Sequence, residues 1–361
     1  MTFDIQTQPG GRHFQAEAGE TLLEAALRQG MVLPYGCRGG QCGSCLATLI
    51  AGRVAYPSGN IQALAGREPS ACLVCQAVPE SDLVLGVTEI RGAAEIEIRT
   101  LPCRVVDKEA LNHDVVRLHL KLPENQRLPF LAGQYLDFLL EGGKRRAFSI
   151  ANAPHDDALI ELHVRHVPGG QFTSFIFDAL AEKAILRIQA PLGTFTLREE
   201  SDRPITLVAG GTGFAPIKGI IEHALYLGIS RPMHLYWGAR QREDLYLPDL
   251  PSQWARDHAH FHYTPVLSEP DPDWRGRAGY VHQAVLADHP DMSPFDVYLA
   301  GPPIMVESGS NAFAAAGLGR EHMFSDAFEY AKFMLYKETG WQVETKEKAE
   351  DFEAWFERKN K

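Results

Sequence analysis

Nowhere in the 361 residues does an uncharged apolar run approach the ~20 residues that a membrane-spanning helix needs. The first residues, Met1-Thr2-Phe3-Asp4, have neither the basic start nor the apolar core of a secretory signal. Positive charge is also short, because 35 Lys and Arg stand against 46 Asp and Glu, for a formal net charge of −11. Such a chain suits nucleic acid poorly, since binding phosphates needs an attractive field. Cysteine is sparse, with 6 in all. An even number would fit disulfides in a small secreted chain, but this chain is long and shows no export signal, which favours metal or redox chemistry. Hydrophobic residues make up 45% and charged residues 22%, close to the globular average, so a disordered or fibrous chain is excluded. At roughly 150 residues per domain the length suits two or three domains. The expectation is a soluble, cytoplasmic, multidomain protein without membrane insertion and without a nucleic-acid partner.

What is there begins with the cysteines. Cys37-Arg-Gly-Gly-Gln-Cys42-Gly-Ser-Cys45 reads C-x4-C-x2-C, with Cys72 and Cys75 further on. That is the plant-type [2Fe–2S] spacing, in which three thiolates come from one loop and a fourth from elsewhere. Gly36, Gly39, Gly40 and Gly43 let such a loop bend tightly and bring backbone N–H groups to the sulfurs. A structural zinc site would more often show paired C-x2-C knuckles. Spacing alone leaves Cys72 and Cys75 competing for the fourth position. Cys103, in an alternating stretch, reads as a small core hydrophobe. Around the loop, Phe3, Ile5 and Thr7 alternate ahead of a Pro9-Gly10-Gly11 turn, as in a hairpin. Glu20-Thr21 opens a short amphipathic helix with Leu22, Leu23, Ala26 and Leu27 toward a core, and Leu46, Thr48 and Ile50 share one face of a strand. The stretch after Cys75 resembles the ferredoxin-like domains of bacterial oxygenase reductases. The resemblance implies Cys37, Cys42, Cys45 and Cys75 as the metal ligands, with Cys72 a buried bystander.

From Cys103 to about Leu197 short alternating strands are separated by Gly and Pro: Val115–Leu120, Tyr135–Leu139 and Ile160–Val164. This pattern suggests a small antiparallel barrel. It contains Arg146-Ala147-Phe148-Ser149, with Gly133-Gln134-Tyr135 upstream and His163-Val164-Arg165 and Gly170-Gln171-Phe172-Thr173 downstream. That order is similar to the flavin domain of the ferredoxin–NADP reductase superfamily. The resemblance implies that Arg146 pairs with the FAD pyrophosphate, Phe148 lies against the isoalloxazine and Ser149 bonds near the flavin N5. It also implies FAD contacts from His163, Val164 and Arg165, and phosphate-binding helix amides from Gly170 to Thr173.

A third unit begins at Arg203-Pro204. Ile205–Ala209 is a continuous apolar run, as in a strand covered on both faces of a parallel sheet, and it leads into Gly210-Gly211-Thr212-Gly213-Phe214-Ala215-Pro216 and a helical stretch. Strand, glycine turn and helix together present N–H groups to a dinucleotide pyrophosphate. Met233–Arg240 and Phe295–Pro303 continue an α/β pattern. These motifs resemble the NAD(P)H domain of the same superfamily, which implies Gly211, Thr212, Gly213, Pro216, Gly301 and Pro302 around the nucleotide, Arg240 beyond the second strand, and Phe328 shielding the flavin. Relatives usually carry Cys where this chain has Ala300. The mixed charges of Arg240 to Asp244 look more like those of NADH-using than of NADPH-using reductases.

Two features stand apart. His258, His260 and His262 alternate, which resembles a metal-binding strand, but the favoured reading is that they lead into a sheet strand with imidazoles along one exposed face. The C-terminal stretch 331–361 reads as a charged helical extension with Phe352, Trp355 and Phe356 on one stripe.

The order of modules is similar to that of the one-chain reductases of bacterial oxygenases and to CDP-6-deoxy-glucoseen reductases. The expected fold is a β-grasp [2Fe–2S] ferredoxin domain (1–95), an antiparallel β-barrel FAD domain (99–200), an α/β nicotinamide-binding domain (201–330) and the extension (331–361). The implied activity is NADH-dependent electron transfer through FAD and the cluster to a Rieske-type or di-iron oxygenase. A deoxysugar-pathway reductase and a non-enzymatic redox sensor are the alternatives.

Overall fold

The computed structural model describes residues 2–87, 96–124 and 126–328. The expected C-terminal extension, with Phe352, Trp355 and Phe356, lies outside the described residues. Three large sheets carry the chain in sequence, with one two-stranded sheet beside the first.

In the first, β1 (Thr2–Gln8) and β2 (His13–Glu17) form the expected antiparallel hairpin, with Gly11 at φ 65° in the turn. Helix α1 (Leu22–Arg28) starts at Thr21, whose hydroxyl accepts from the Glu24 N–H while the Glu24 carboxylate accepts from the Thr21 N–H. This reciprocal cap satisfies two donors that a helix start leaves open. Leu22, Leu23, Ala25 and Ala26 are buried, and Leu27 packs against the same core from a half-exposed position. Then come β3 (Leu46–Ala51), β4 (Val54–Ala55), β5 (Ala71–Leu73), β6 (Val78–Pro79) and β7 (Leu83–Gly86), and the main sheet runs β2-β1-β7-β3-β5. On β3 it is Ala47 that turns fully inward, while Ile50 is left 51% exposed.

The second sheet contains β8 (Arg99–Ala110), β9 (Val115–Lys121), β10 (Tyr135–Leu139), β11 (Arg145–Ser149), β12 (Ile160–Arg165) and β13 (Ile185–Leu192), in the order β11-β10-β13-β8-β9-β12. Its two edges meet through an Ile150–Leu162 bridge, which closes it into a barrel. Leu118, Leu120, Leu136, Phe138, Leu162, Val164 and Cys103 fill the interior, and α2 (Gln171–Asp178) adds Phe172, Phe175 and Ile176 to the same core.

The third sheet is parallel throughout. It contains β14 (Ile205–Gly210), β15 (Met233–Ala239), β16 (Phe261–Leu267), β17 (Arg277–Ala278), β18 (Asp296–Gly301) and β19 (Met323–Ala327), ordered β17-β16-β15-β14-β18-β19. Every residue of β14 and β18 is buried, as a strand covered on both faces requires. The connecting helices are α3 (Phe214–Tyr226), α4 (Asp249–Asp257), α5 (Val281–Asp288) and α6 (Pro303–Ala315). The chain steps outward from β14 to β17 and then returns to β18 on the other side, so the winding reverses between β14 and β18. Ligands of open α/β sheets bind at the carboxyl ends flanking such a reversal.

The three histidines do not share a strand. His258 is the C-terminal cap of α4 and His260 lies in the next turn, where the Phe261 N–H bonds to the His258 carbonyl; only His262 is on β16. The alternation crosses a helix end, so it has no single face. Among the described residues no helix is long and apolar enough to cross a membrane.

Candidate functional site

Cys37, Cys42 and Cys45 come from the loop between α1 and β3, and Cys75 from the turn after β5. Cys45 Sγ lies 3.2 Å from Cys75 Sγ, and the Gly39 N–H donates to Cys37 Sγ at 3.3 Å. The loop needs glycine where it is tightest: Gly40 has φ 80°, and a Cβ there would lie 2.0 Å from the Asn60 carbonyl oxygen. The sulfurs work as pairs. A hydrogen bond with Cys42, added to burial, pushes the Cys37 thiol up, while the same bond draws Cys42 down to about 7. Likewise Cys45 is raised by its bond to Cys75, and Cys75 is lowered. In each pair one thiol thus holds its proton more tightly than the other, and a metal that takes four thiolates would displace the thiol protons. The donor set fits a [2Fe–2S] cluster. Cys72 is fully buried beside Tyr56, and its thiol is pushed up to about 11 by burial.

Strand β11 lies at one end of the barrel sheet, paired with β10. Half-buried Arg146 donates to the Arg145 carbonyl and forms no ion pair among the described residues, so its charge is available to an anion. Phe148 packs on Phe138 and Phe172, with ring centroids 5.6 and 5.9 Å away. The Ser149 hydroxyl donates to the Asp326 carboxylate at 3.2 Å. Burial pushes that carboxyl up to about 6, against the lowering effect of Ser149. Gly170 precedes α2 without capping it by a side chain, Gln171 is exposed, Thr173 accepts from the Val167 N–H, and Phe172 is directed into the core, leaving only its main chain toward a ligand.

On β12, Val164 fills the barrel, whereas His163 is enclosed on the other face. His163 Nε2 lies 2.7 Å from Glu161, and Nδ1 lies 3.0 Å from the Tyr246 hydroxyl. Lys218 of α3 reaches Glu161 at 3.2 Å and Glu222 at 3.0 Å. Burial opposes the Glu161 charge, yet His163 and Lys218 hold this carboxyl down to about 2. Only the main chain of His163 and Val164 is left for a cofactor. Arg165 pairs with Asp114 at 2.6 Å.

At the reversal of the third sheet, Gly211–Gly213 form one 3-10 turn and Gly213 leads into α3. A Cβ on Gly213 would lie 2.0 Å from the Ala300 carbonyl oxygen, and one on Gly301, at φ 148°, would lie 2.9 Å from the Gly210 carbonyl oxygen. The two loops thus touch backbone to backbone, a cradle that side chains would fill. Trp237 Nε1 donates to the Gly211 carbonyl at 3.0 Å, and Phe214 stacks on Trp237 at 4.0 Å, which fixes the turn. Thr212 is half-buried, Pro216 is buried in the first turn of α3, Pro302 caps α6, and Ala300 is enclosed. Arg240 stands exposed beyond β15. The Phe328 N–H donates to the Gly301 carbonyl at 3.0 Å.

Sequence reasoning missed the residues that join the three units: Tyr35, Arg38, Ser44, Tyr135, Asp137, Thr194, Ser325 and Asp326. One signal was present, an acid at 137 inside the apolar strand Tyr135-Leu136-Asp137-Phe138-Leu139.

Residues 5–80 match the family described as 2Fe-2S iron-sulfur cluster binding domain, 102–197 the Oxidoreductase FAD-binding domain, and 207–310 the Oxidoreductase NAD-binding domain. The CDP-6-deoxy-L-threo-D-glycero-4-hexulose-3-dehydrase reductase of Yersinia pestis is 39% identical over 332 residues, covering 92% of this chain and 100% of that protein. The terephthalate 1,2-dioxygenase reductase component 2 of a Comamonas species is 34% identical over 329 residues, covering 91% of this chain and 98% of that one. A crystal structure of an Amycolatopsis cytochrome P450 reductase superposes with a TM-score of 0.74 at 36% identity, covering 90% of this chain and 98% of the other. With the four thiols, the flavin barrel and the nicotinamide cradle in one chain, this protein belongs to the iron–sulfur flavoprotein reductases, NAD(P)H-dependent oxidoreductases that use a [2Fe–2S] cluster, FAD and NAD.

Proposed function

We propose that this chain takes hydride from NADH and delivers electrons, through FAD and a cluster on Cys37, Cys42, Cys45 and Cys75, to an oxygenase of the Rieske or di-iron type. One observation carries the reading. Within four residues at its C-terminal end, β19 and the residue after it touch all three sites. The Ser325 carbonyl accepts from Ser44 in the cysteine loop at 3.0 Å, Asp326 accepts from Ser149 on the flavin wall, and the Phe328 N–H donates to Gly301 in the nicotinamide cradle. When bound, the flavin accepts an electron pair and the cluster one electron at a time, which is why a reductase of this kind needs both.

The chain's own residues bind and orient. Arg146 takes the FAD pyrophosphate as a planar cation with no competing acid, helped by the start of α2, where Gly170 gives its amide to the Val167 carbonyl and Gln171, Phe172 and Thr173 turn theirs toward the ligand. Phe148 forms an apolar wall for the ring system, Ser149 bonds at its polar edge, and the main chain of His163, Val164 and Arg165 lines the other side. Gly211, Thr212, Gly213, Pro216, Gly301 and Pro302 receive the nicotinamide nucleotide, Arg240 lies toward its far end, and Phe328 covers the flavin face. The acids Glu243 and Asp244 beside Arg240 favour NADH over NADPH, because a 2′-phosphate would meet their charge. The domain bounds are 1–95, 99–200 and 201–330. Six unpaired cysteines agree with a cytoplasmic setting.

A dehydrase of deoxysugar synthesis is the second reading for the partner, favoured by the 39% identity to the Yersinia pestis reductase. Steady NADH turnover with cytochrome c would set aside a purely sensing role. The test of the main reading is an anaerobic NADH titration followed by visible absorption and low-temperature EPR. Bleaching of flavin and cluster bands with a rhombic EPR signal is expected. Flavin bleaching with no cluster signal would reduce the protein to a flavin reductase. In Cys42→Ser, NADH should still bleach the flavin while reduction of a one-electron protein acceptor is lost.

A further inference from the structure

We propose that Arg38 and Asp137 form a clamp that holds the cysteine loop on the flavin barrel, and that both are positioning residues for electron passage between the two units. The inference rests on the function proposed above and names residues within it.

On β10, Leu136 and Phe138 point into the barrel core, so Tyr135 and Asp137 lie on its outer face. An outer-face acid on a free barrel would be hydrated. Here it is 5% exposed, and burying a carboxylate without a partner is costly. Within the barrel its one nearby cation is Arg145, at 3.8 Å and out of hydrogen-bond reach. The partner comes from the other unit: Arg38 Nη2 donates to Asp137 at 2.9 Å. Burial pushes the Asp137 carboxyl up, and Arg38 and then Arg145 draw it back toward the ionised form. The acid is therefore matched only while the cysteine loop is docked.

The loop side is built for the same contact. Arg38 follows Cys37 and has φ 56°, a left-handed conformation uncommon for a residue with a side chain. Its carbonyl is held by Gln76, the neighbour of Cys75, at 2.7 Å while its guanidinium reaches the barrel. On the N-terminal side of that residue the joint continues. The Tyr135 hydroxyl donates to the Gly36 carbonyl at 2.9 Å. Tyr35 and Thr194 exchange bonds, the Tyr35 N–H reaching Thr194 Oγ1 and the Thr194 hydroxyl reaching the Tyr35 carbonyl, both at 2.9 Å. Gly193, at φ 90°, leaves the slot for the Tyr135 ring, since a Cβ there would lie 2.8 Å from it. Residues 35, 36 and 38, which flank Cys37, are thus each tied to the barrel. An electron route needs a fixed gap between donor and acceptor, and a loop tied at three points supplies one without a domain swing.

The test uses the holo-protein, mixed with NADH in an anaerobic stopped-flow cell, and separately measures amide hydrogen exchange. In the parent the flavin band bleaches, followed by the cluster band. In Asp137→Asn the flavin phase should be unchanged while the cluster phase slows by about tenfold or more. Exchange should rise at residues 35–38 and 135–139 and remain unchanged elsewhere in the barrel. Arg38→Gln, which alters the other unit, should give the same loss. The double variant should be no slower than either single one, because both remove one interaction. Parent-rate cluster bleaching in both single variants, unchanged exchange in both, or additive losses would overturn the clamp. If Asp137→Asn fails to hold FAD, Arg38→Gln decides. A parent protein whose cluster never bleaches would refute the proposed function instead, and the exchange comparison would still report on the clamp.

Discussion

Gly213 shows how a single residue can shape a candidate binding site by having no side chain. Its backbone lies so close to the Ala300 carbonyl that a methyl group would overlap it, and the neighbour is main chain that cannot rotate away. Gly213→Ala should therefore push the two nucleotide loops apart, at about 1–3 kcal/mol as overpacked sites cost, and raise the half-saturating NADH concentration by about tenfold or more. Cluster and flavin spectra should be retained, since both sites lie in other units; unchanged NADH saturation would contradict the cradle. Asp326 acts through charge. Its folded-state carboxyl is raised to about 6, so the protonated form is favoured in the fold, and the associated stability is complete at low pH and lost as pH rises through about 6. Asp326→Asn cannot ionise, so its thermal midpoint relative to the parent should be higher at pH 8 than at pH 5. An equal offset at both pH values would show that the carboxylate is well solvated.

At the scale of elements, helix α1 leads into the cysteine loop and depends on its first turn. Thr21→Ala removes the hydroxyl that receives the Glu24 N–H and should cost about 1 kcal/mol of stability in the first unit. The cluster spectrum should survive, because the cap lies at the far end of the helix from Cys37; a variant that loses the cluster would show the helix start to be coupled to the loop. Strand β19 has a different part. It is a short edge strand of half-buried residues, yet it offers a carbonyl to Ser44 and a carboxylate to Ser149. Its composition, Met-Phe-Ser-Asp-Ala, carries no motif for this. What matters is which strand it pairs with, and it pairs with β18, whose end forms the nucleotide cradle.

At the scale of the whole molecule, the barrel and the nucleotide unit meet through the buried Glu161, His163, Lys218 and Glu222 network. Burial lowers the His163 pKa, so its contribution is present above about 6.5 and lost as pH falls below that value. Glu161, held down to about 2, contributes above about 4.5 and loses that contribution as pH falls toward 2. Both trends weaken the junction on acidification, and unfolding followed by tryptophan fluorescence should show it. Glu161→Gln breaks a buried pair and should cost about 3 kcal/mol at pH 7, with much less difference from the parent near pH 3. A pH-independent difference would mean that the pair is not ionised in the fold.

The sequence by itself determined what rests on short spacing. The C-x4-C-x2-C loop, the glycine turn after an apolar strand, the Arg146-Ala147-Phe148-Ser149 run and the alternating strands each act within a window of a few residues, so the three modules were readable and candidate binding residues could be named. The local exceptions are equally physical: the alternation of His258, His260 and His262 mimicked a strand because residue spacing cannot show where α4 ends, and the apolar alternation of β3 did not tell which face would be inside. The tertiary structure alone decided how the modules meet. An ion pair between residues 38 and 137, a hydroxyl at 44 bonded to a carbonyl at 325, and a histidine at 163 drawn into a buried network depend on which surfaces the three sheets present to one another. Those contacts carry no local signature, because each partner is an ordinary polar residue until packing removes the water around it.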